Sequence, residues 1–219
     1  MSSNQTVDFA ARRERFRQYE DAEAVRAYLQ RLETQWPERA IVVQQIIDLV
    51  SGLQQQIPQV LELCCGPGRL AESLLAAVPN LHYTGVDLSP PFLAFARQRL
   101  STYHDVTLLE MDLSDNHWPQ LVATQAPTGQ FHAIVSLQSL HDVGDEAAVS
   151  RVYGLAKGLL LPGGFFLNAD LIVADGEELP NNPGRRSISR HLALLRAHSY
   201  QQVTCSLAVG SFGCVLGWR

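Results

Sequence analysis

Apolar positions at helical spacing occupy the first part of the chain. Between Asp8 and Glu33, apolar and aromatic side chains recur at the spacing of one helix face, with charged residues between them. Trp36-Pro37 ends this pattern, because proline breaks a helix. A second helix is predicted from about Glu38 to Leu53, and a polar connector leads to Pro58. Residues 1–58 are therefore expected to form a helical extension.

The pattern changes after this connector, where short apolar runs alternate with helical patterns. Such alternation is typical of a parallel sheet with helices on both faces, and Gly210-Ser211 is typical of a two-residue hairpin. The predicted strands are Gln59–Leu63, His82–Val86, Val106–Glu110, Phe131–Ser136, Phe165–Val173, Gln201–Val209 and Phe212–Trp218. The predicted helices are Gly68–Val78, Pro90–Leu100, His117–Gln125, Glu146–Leu160 and Ser189–His198. Pro162-Gly163-Gly164 is predicted to be a tight turn before the fifth strand. The pattern predicts an α/β fold with a doubly wound sheet.

Composition and charge argue against two classes of protein, those that bind nucleic acids and those that span a membrane. The chain has 219 residues and a formal net charge of −5, without a dense basic patch beyond the arginines at positions 12, 13, 15 and 17. Because nucleic-acid binding needs many cations, this balance argues against such a partner. No apolar run reaches the roughly 20 residues of a membrane helix, and the N-terminus lacks the apolar core of a signal peptide. A cytoplasmic protein is expected.

The four cysteines lack the spacing of a metal site. They form no CxxC pair, and none lies near a histidine at the spacing of zinc ligands. They are Cys64, Cys65, Cys205 and Cys214. We therefore expect reduced thiols and no metal.

A glycine-rich turn follows the first strand and leads directly into a helix. The turn is Cys64-Cys65-Gly66-Pro67-Gly68. Glycine lets the backbone approach a ligand closely, and the helix N-terminus favours a carboxylate or phosphate. Such a ligand lies at the carboxyl ends of the strands. Because Gly66-x-Gly68-x-x-Ala71 also fits the dinucleotide fingerprint, two cofactors remain open at this point.

Acidic residues follow the next two strands. Asp87 lies 21 residues after Gly66, where a carboxylate can accept hydrogen bonds from ribose hydroxyls. Asp112 is placed to accept from an adenine amino group, with Met111 and Leu113 on either side of the ring. Each acid alone could instead be a helix cap or a solvated loop end. Together with the turn, they predict a cofactor that contains adenosine.

These segments resemble the class I S-adenosylmethionine-dependent methyltransferases over about Gln59 to Arg219. The similar segments are Leu61–Gly68, Thr84–Ser89, Met111–Leu113, Ser136–His141 and Leu160–Gly164. The terminal antiparallel hairpin is also typical of this family and is usually absent from dinucleotide dehydrogenases. One departure is Cys64, which replaces the first glycine of the family's first motif. Its side chain is expected either to crowd the methionyl carboxylate or to point away beneath it.

The resemblance implies a Rossmann-like, seven-stranded sheet with the order 3-2-1-4-5-7-6 and an antiparallel strand 7. It implies a division into 1–58, N-terminal helices that form a lid and cover, and 59–219, a domain that binds S-adenosylmethionine. The residues it implies at the cofactor are Glu62, Cys64, Gly66, Gly68, Asp87, Leu88, Met111, Asp112, Leu113 and Ser136.

The expected reaction is methyl transfer to a small-molecule acceptor. His141 is the candidate general base, because imidazole titrates near neutral pH and lies close to the expected methyl group; alternatively, it packs under the cofactor. Asp142 is expected either to orient His141 or to cap the next helix, with Asp145 as the rival cap.

Three residues are candidates for binding the acceptor. Tyr19 and Tyr28 could reach the site from the N-terminal helix, or they could pack that helix on the core. Arg186, with Arg185 and Arg190, could recognise an anionic acceptor or could form a solvated face. The acceptor itself is not identified by the sequence.

Other functions stay open at this stage. One is another alkyl transfer or a non-catalytic subunit that binds the same cofactor. A nicotinamide-dependent oxidoreductase is a weaker alternative, because no room for a substrate domain follows strand five. The segment Ser136–Ser139 differs from the Asn-Pro-Pro-Tyr-like residues of enzymes that methylate base amino groups. A monomer and a homodimer both fit the sequence.

Overall fold

A computed structural model describes residues 22–127 and 129–219, and its first two elements are helices. Helix α1 spans Ala22–Gln35, and α2 spans Arg39–Ser51. The buried residues of α2 are Val42, Ile46 and Val50, which lie one turn apart and anchor the helix on the domain. The earlier part of the predicted first helix, including Tyr19 and the arginines at positions 12–17, lies outside the described residues.

Seven strands form one mixed sheet with the order β3-β2-β1-β4-β5-β7-β6. Strand β7 runs antiparallel to both β5 and β6, and the other neighbouring pairs are parallel. The strands are β1 (Gln59–Leu63), β2 (His82–Asp87), β3 (Val106–Glu110), β4 (Phe131–Leu137), β5 (Leu160–Leu171), β6 (Gln201–Val209) and β7 (Phe212–Trp218). The fold class and the strand order predicted from the sequence are both confirmed.

Five helices connect these strands and cover the sheet. They are α3 (Arg69–Ala77), α4 (Pro90–Arg99), α5 (Trp118–Gln125), α6 (Glu146–Leu159) and α7 (Ile188–Ala197). A short 3-10 helix, Leu140–Asp142, follows β4. In the described part of the chain, every helix is too short or too polar to cross a membrane.

Both faces of the sheet are buried, and β1 shows how this is achieved. All five of its residues are buried, with Val60 in one apolar cluster and Leu61 and Leu63 in the other. Because successive side chains of a strand point to opposite faces, Glu62 projects to the same face as Val60. The strand therefore ends with a buried carboxylate beside the glycine-rich turn.

The start of the fifth strand differs from its prediction. Strand β5 begins at Leu160 instead of Phe165, because the predicted turn lies inside the strand as an irregularity. Phe131 pairs with Leu160, whereas Ala133 pairs with Phe165, so the chain between them loops out of register. Gly163 allows this with a φ of 75°. The turn therefore interrupts the ladder without ending it.

Candidate functional site

A cleft of about 300 Å³ lies at the carboxyl ends of β1 to β4. Its floor is formed by the strand ends and the glycine-rich turn, and α1 and α2 form one wall. The residues from α1 and α2 are Tyr28, Leu29, Leu32 and Arg39. The residues at the strand ends and turns include Glu62, Cys64, Cys65, Gly66, Asp87, Leu88, Met111, Asp112, Leu113, Gln138, Ser139, Asp142 and Val143. The cleft therefore brings together most of the residues that the sequence predicts at the cofactor.

The two glycines of the turn have different structural roles. Gly66 has a φ of 54°, and a Cβ atom built on it would meet no atom within 4 Å. Gly68 is the N-cap of α3, and a Cβ there would lie 3.2 Å from the Cβ of Ala96. Gly66 thus leaves space open at the cleft, whereas Gly68 lets α3 begin against α4.

Cys64 adopts the backbone conformation that a glycine would hold more easily. Its φ is 57°, in the left-handed region, and the residue lines the cleft. Burial and the charge of Asp87 raise the pKa of its thiol well above the usual value, although a hydrogen bond with Ser139 opposes the shift. Cys64 is therefore a neutral thiol at the turn and is poorly suited to act as a nucleophile.

Asp87 ties the glycine-rich turn to the end of β2. Its Oδ2 accepts a hydrogen bond from the backbone N–H of Gly66 at 2.8 Å, and its Oδ1 accepts one from Ser89 at 2.8 Å. Burial raises the pKa of Asp87 to about 6, and these backbone donors partly offset the increase. A carboxylate oxygen has two lone pairs, so each one can accept a further donor from a ligand.

A second buried carboxylate, Glu62, lies at the floor of the cleft. The hydroxyl of Tyr83 donates to its Oε2 at 2.6 Å, and the residue is 3% exposed. Burial raises the pKa of Glu62 to about 8, while the Tyr83 hydrogen bond and the charge of Arg39 act in the opposite direction. The site therefore contains a carboxyl group that is mostly protonated at neutral pH.

Arg39 was missed by sequence reasoning. Its Nε donates to Oε1 of Gln138 at 3.2 Å, and its side chain lines the cleft. Gln138 holds a φ of 56° immediately after β4, and its backbone N–H donates to the carbonyl of Ala169 at 2.7 Å. The available signal was an arginine at the start of a helix that is rich in apolar residues. It did not indicate that the side chain turns toward the strand ends.

His141 forms a buried pair with Asp170 of β5. Its Nδ1 lies 2.5 Å from Oδ1 of Asp170, and its backbone N–H donates to Oδ2 at 3.0 Å. Burial lowers the pKa of His141, but the charge and hydrogen bond of Asp170 outweigh this, so the net shift is upward. Asp170 was also missed; the available signal was a lone acid in an apolar strand.

Asp142 does not cap the following helix. Asp145 does, because its Oδ1 accepts from the backbone N–H of Ala148 at 2.9 Å. Asp142 instead lines the cleft, with Oδ2 3.4 Å from Nε2 of His141. His141 itself is only 7% exposed and lies just behind the cleft wall.

The remaining predicted cofactor residues lie at or directly under the cleft. Leu88, Met111 and Leu113 line it, as does Asp112, whose Oδ1 accepts from the backbone N–H of Ser114 at 2.8 Å. Ser136 lies beneath it, fully buried, with its hydroxyl 2.9 Å from that of Ser139.

The residues predicted to bind the acceptor do not all lie at the cleft. Tyr28 lines the cleft and stacks on Phe92, with ring centroids 5.4 Å apart. Arg186 lies outside the cleft and pairs with Glu146 at 3.3 Å and Glu178 at 3.4 Å. Tyr19 is not among the described residues. Within those residues, no cluster of histidine, cysteine and acidic side chains could hold a metal ion.

Comparisons with known proteins point to one family. Residues 61–166 match the family described as a methyltransferase domain. A malonyl-[acyl-carrier protein] O-methyltransferase of Paenibacillus sp. (strain JDR-2) is 30% identical over 97 residues, which are 44% of this chain and 34% of that protein. The chain spans less than half the length of the curated relatives it matches.

Solved structures share the fold at lower identity. The citrinin polyketide synthase CMeT domain superposes with a TM-score of 0.71 and 19% identity, over 90% of this chain and 57% of that one. Human N-acetylserotonin methyltransferase, solved in complex with S-adenosylmethionine, superposes with a TM-score of 0.67 and 17% identity, over 93% of this chain and 58% of that one. The fold is therefore shared over nearly the whole described chain.

Proposed function

We propose that this chain, whose residues 61–166 match the methyltransferase domain family, transfers a methyl group from S-adenosylmethionine to a small-molecule acceptor. The proposal rests on one observation, which is that the carboxyl ends of β1, β2 and β3 lie together at one cleft. Asp87 binds the backbone of Gly66 there, beside Met111 and Asp112. This arrangement supports a cofactor that contains adenosine.

The residues present fit this cofactor at its nucleoside end. Asp87 has lone pairs for the ribose hydroxyls, and Asp112 lies beside Met111 and Leu113, whose apolar side chains suit a flat ring. Gly66 leaves open the space that a side chain would occupy. We assign these residues to the adenosine part of the cofactor.

The amino-acid end of the cofactor fits Arg39 and Glu62. Arg39 uses Nε to bind Gln138, and no described acceptor binds its terminal guanidinium nitrogens, which can therefore hold a carboxylate. Glu62 faces the same cleft and offers oxygen atoms to an ammonium group. We propose that these two residues bind the methionyl carboxylate and amino group.

The cofactor supplies a methyl group activated by a sulfonium, so the chain has to orient the acceptor and remove its proton. We propose that His141 accepts this proton at Nε2, since Asp170 holds the proton of Nδ1. Asp142 lies between Nε2 and the cleft, and 65% of its side chain is exposed, so it can turn toward solvent. Asp170 acts as a positioning residue, because its carboxylate binds His141 and does not line the cleft.

The position of helix α1 is consistent with a cover over the cleft. Tyr28, Leu29 and Leu32 face the strand ends, and Glu33 forms an ion pair with Arg69 across the mouth. We propose that residues 1–58 form the lid of the catalytic domain at residues 59–219.

The cleft is small and is closed by apolar residues, which supports a small molecule as the acceptor over a macromolecule. The four free thiols support a reducing cytoplasm as the compartment.

The proposal is tested by calorimetry followed by product analysis. Titration with S-adenosylmethionine and S-adenosylhomocysteine should give saturable heat, and turnover with an acceptor panel should yield S-adenosylhomocysteine. Methylthioadenosine as the product would indicate transfer of another group, and binding without any product would indicate a non-catalytic subunit. No heat and no thermal shift at millimolar ligand would overturn the proposal.

A further inference from the structure

Glu62 is a buried carboxyl group without an ion-pair partner. It is 3% exposed, and the hydroxyl of Tyr83 is its hydrogen-bond donor. Among the described residues, no arginine, lysine or histidine nitrogen lies within 4.0 Å of its oxygens. Arg39 lies on the same cleft but directs Nε to Gln138. An unpaired charge in such a place is costly, so the ligand-free protein holds Glu62 protonated.

The groups around Glu62 support this protonation state. The charge of Asp87 on β2 acts with burial to raise its pKa, while Tyr83 on β2 and Arg39 on α2 oppose them. Cys65 on the turn is itself a neutral thiol, because burial and the charge of Asp87 raise its pKa. The positive charge that would ionise Glu62 has to come from a ligand.

Resting on the proposed function, we propose that Glu62 selects for the amino group of the cofactor and releases its proton to solvent when that ammonium group enters the cleft. The carboxylic O–H bond is the bond that breaks, its proton goes to buffer, and the resulting carboxylate pairs with the ammonium. The guanidinium of Arg39 supplies the complementary cation for the carboxylate of the same ligand.

This exchange makes Glu62 a specificity residue. A ligand with both an ammonium and a carboxylate satisfies Glu62 and Arg39 together. An adenosine derivative that lacks the amino-acid part leaves Glu62 protonated, and it gains nothing from either residue. The cleft should therefore distinguish S-adenosylhomocysteine from 5′-methylthioadenosine by proton release as well as by affinity.

Calorimetry at pH 7 in phosphate and in Tris measures this release, because the two buffers differ in ionisation enthalpy. S-adenosylhomocysteine is the better probe, since it carries the amino-acid part without a sulfonium charge. We expect it to release close to one proton per chain, and 5′-methylthioadenosine to release almost none. Glu62→Gln should lose the proton release and bind S-adenosylhomocysteine about 10- to 100-fold more weakly, with its affinity for 5′-methylthioadenosine unchanged.

The same substitution at an exposed glutamate outside the cleft serves as the control. Glu178 pairs with Arg186 outside the cleft, so Glu178→Gln should keep both the affinity and the proton release. Binding of S-adenosylhomocysteine with the same enthalpy in both buffers would overturn the inference and leave the proposed function standing. Unchanged proton release in Glu62→Gln would assign the proton to another group and would also overturn it. Failure of both S-adenosylhomocysteine and 5′-methylthioadenosine to bind would instead contradict the proposed function.

Discussion

Nδ1 of His141 and Oδ1 of Asp170 lie 2.5 Å apart in an almost wholly buried position. The second oxygen of Asp170 accepts the backbone N–H of His141 at 3.0 Å. Strand β5 therefore fixes both the ring and the backbone of the 3-10 helix after β4. A carboxylate in this position holds the Nδ1 proton and leaves Nε2 as the basic atom.

Asp170→Asn should lower methyl transfer by about 10²–10⁴-fold, the usual contribution of a general base, because an amide can present the wrong partner to Nδ1. Asp170 raises the pKa of His141, so its loss should move the acidic limb of the pH–rate profile to lower pH. Affinity for S-adenosylhomocysteine should stay the same, since Asp170 does not line the cleft. Turnover across pH and calorimetry measure the two effects.

Asp142→Asn is the matched control, because Asp142 adjoins His141 but is mostly exposed. It should change the rate less than Asp170→Asn and should leave the acidic limb nearly in place. A larger effect for Asp142→Asn would make Asp142 the residue that orients the imidazole and would contradict the assignment to Asp170.

Glu62 should make stability fall as pH rises. Its pKa is raised from an ordinary 4.5 to about 8 in the folded protein, which binds more protons than the unfolded chain between these values. The stabilising effect of the protonated form is therefore lost from about pH 5 to pH 8. Glu62→Gln has no carboxyl group to ionise and so does not lose stability in this way. The difference between its free energy of unfolding and that of the wild type should therefore increase over that range, by roughly a few kcal/mol.

Urea unfolding at pH 5, 6.5 and 8 measures the difference. Burial also raises the pKa of Asp87, to about 6, but this group is present in both proteins and largely cancels. Glu178→Gln should show no comparable trend, because Glu178 is exposed. A difference between Glu62→Gln and wild type that stays constant with pH would mean that Glu62 is ionised in the folded protein.

The strand-end residues could be predicted from sequence because of the geometry of a parallel sheet. All parallel strands present their carboxyl ends at one edge, so Gly66, Asp87 and Asp112 had to lie close together once the strands were identified. The periodic patterns also located β1 to β4 to within one residue. Local pattern and sheet geometry together were sufficient for this part of the site.

Arg39 and Asp170 could not be found in this way, because tertiary packing decides their roles. Arg39 is distant in sequence from the strand ends and reaches the cleft through the docking of α2. Asp170 lies inside an apolar strand, and only the pairing of β4 with β5 sets it beside His141. Arg186 illustrates the opposite case, since the ion pairs with Glu146 and Glu178 hold it outside the cleft.

Gly66→Ala should abolish or greatly weaken cofactor binding, and this loss should exceed what its backbone strain alone would cause. The added Cβ meets no protein atom and would occupy open space at the cleft, although its φ of 54° adds strain of about 1–2 kcal/mol. Gly163→Ala is a matched control, because Gly163 has a φ of 75°, open space around its Cβ position and a location outside the cleft. Both variants should lose similar stability, but Gly66→Ala alone should lose affinity for S-adenosylhomocysteine. Equal loss of affinity in both would attribute the effect to backbone strain.

Tyr28→Ala should speed the dissociation of the cofactor. Tyr28 of α1 stacks on Phe92 of α4, so this contact joins the cover to the main domain beside the cleft. An aromatic pair contributes about 0.5–1.5 kcal/mol beyond its buried area, which corresponds to an increase of roughly 2- to 12-fold in the dissociation rate. Stopped-flow displacement of S-adenosylhomocysteine measures this rate. Tyr28→Phe keeps the ring and should dissociate at the wild-type rate; if it is as fast as Tyr28→Ala, the hydroxyl and not the stack holds the cover. Equal rates in all three proteins would show that α1 does not restrict release, and the proposed lid would then have to act on the acceptor alone.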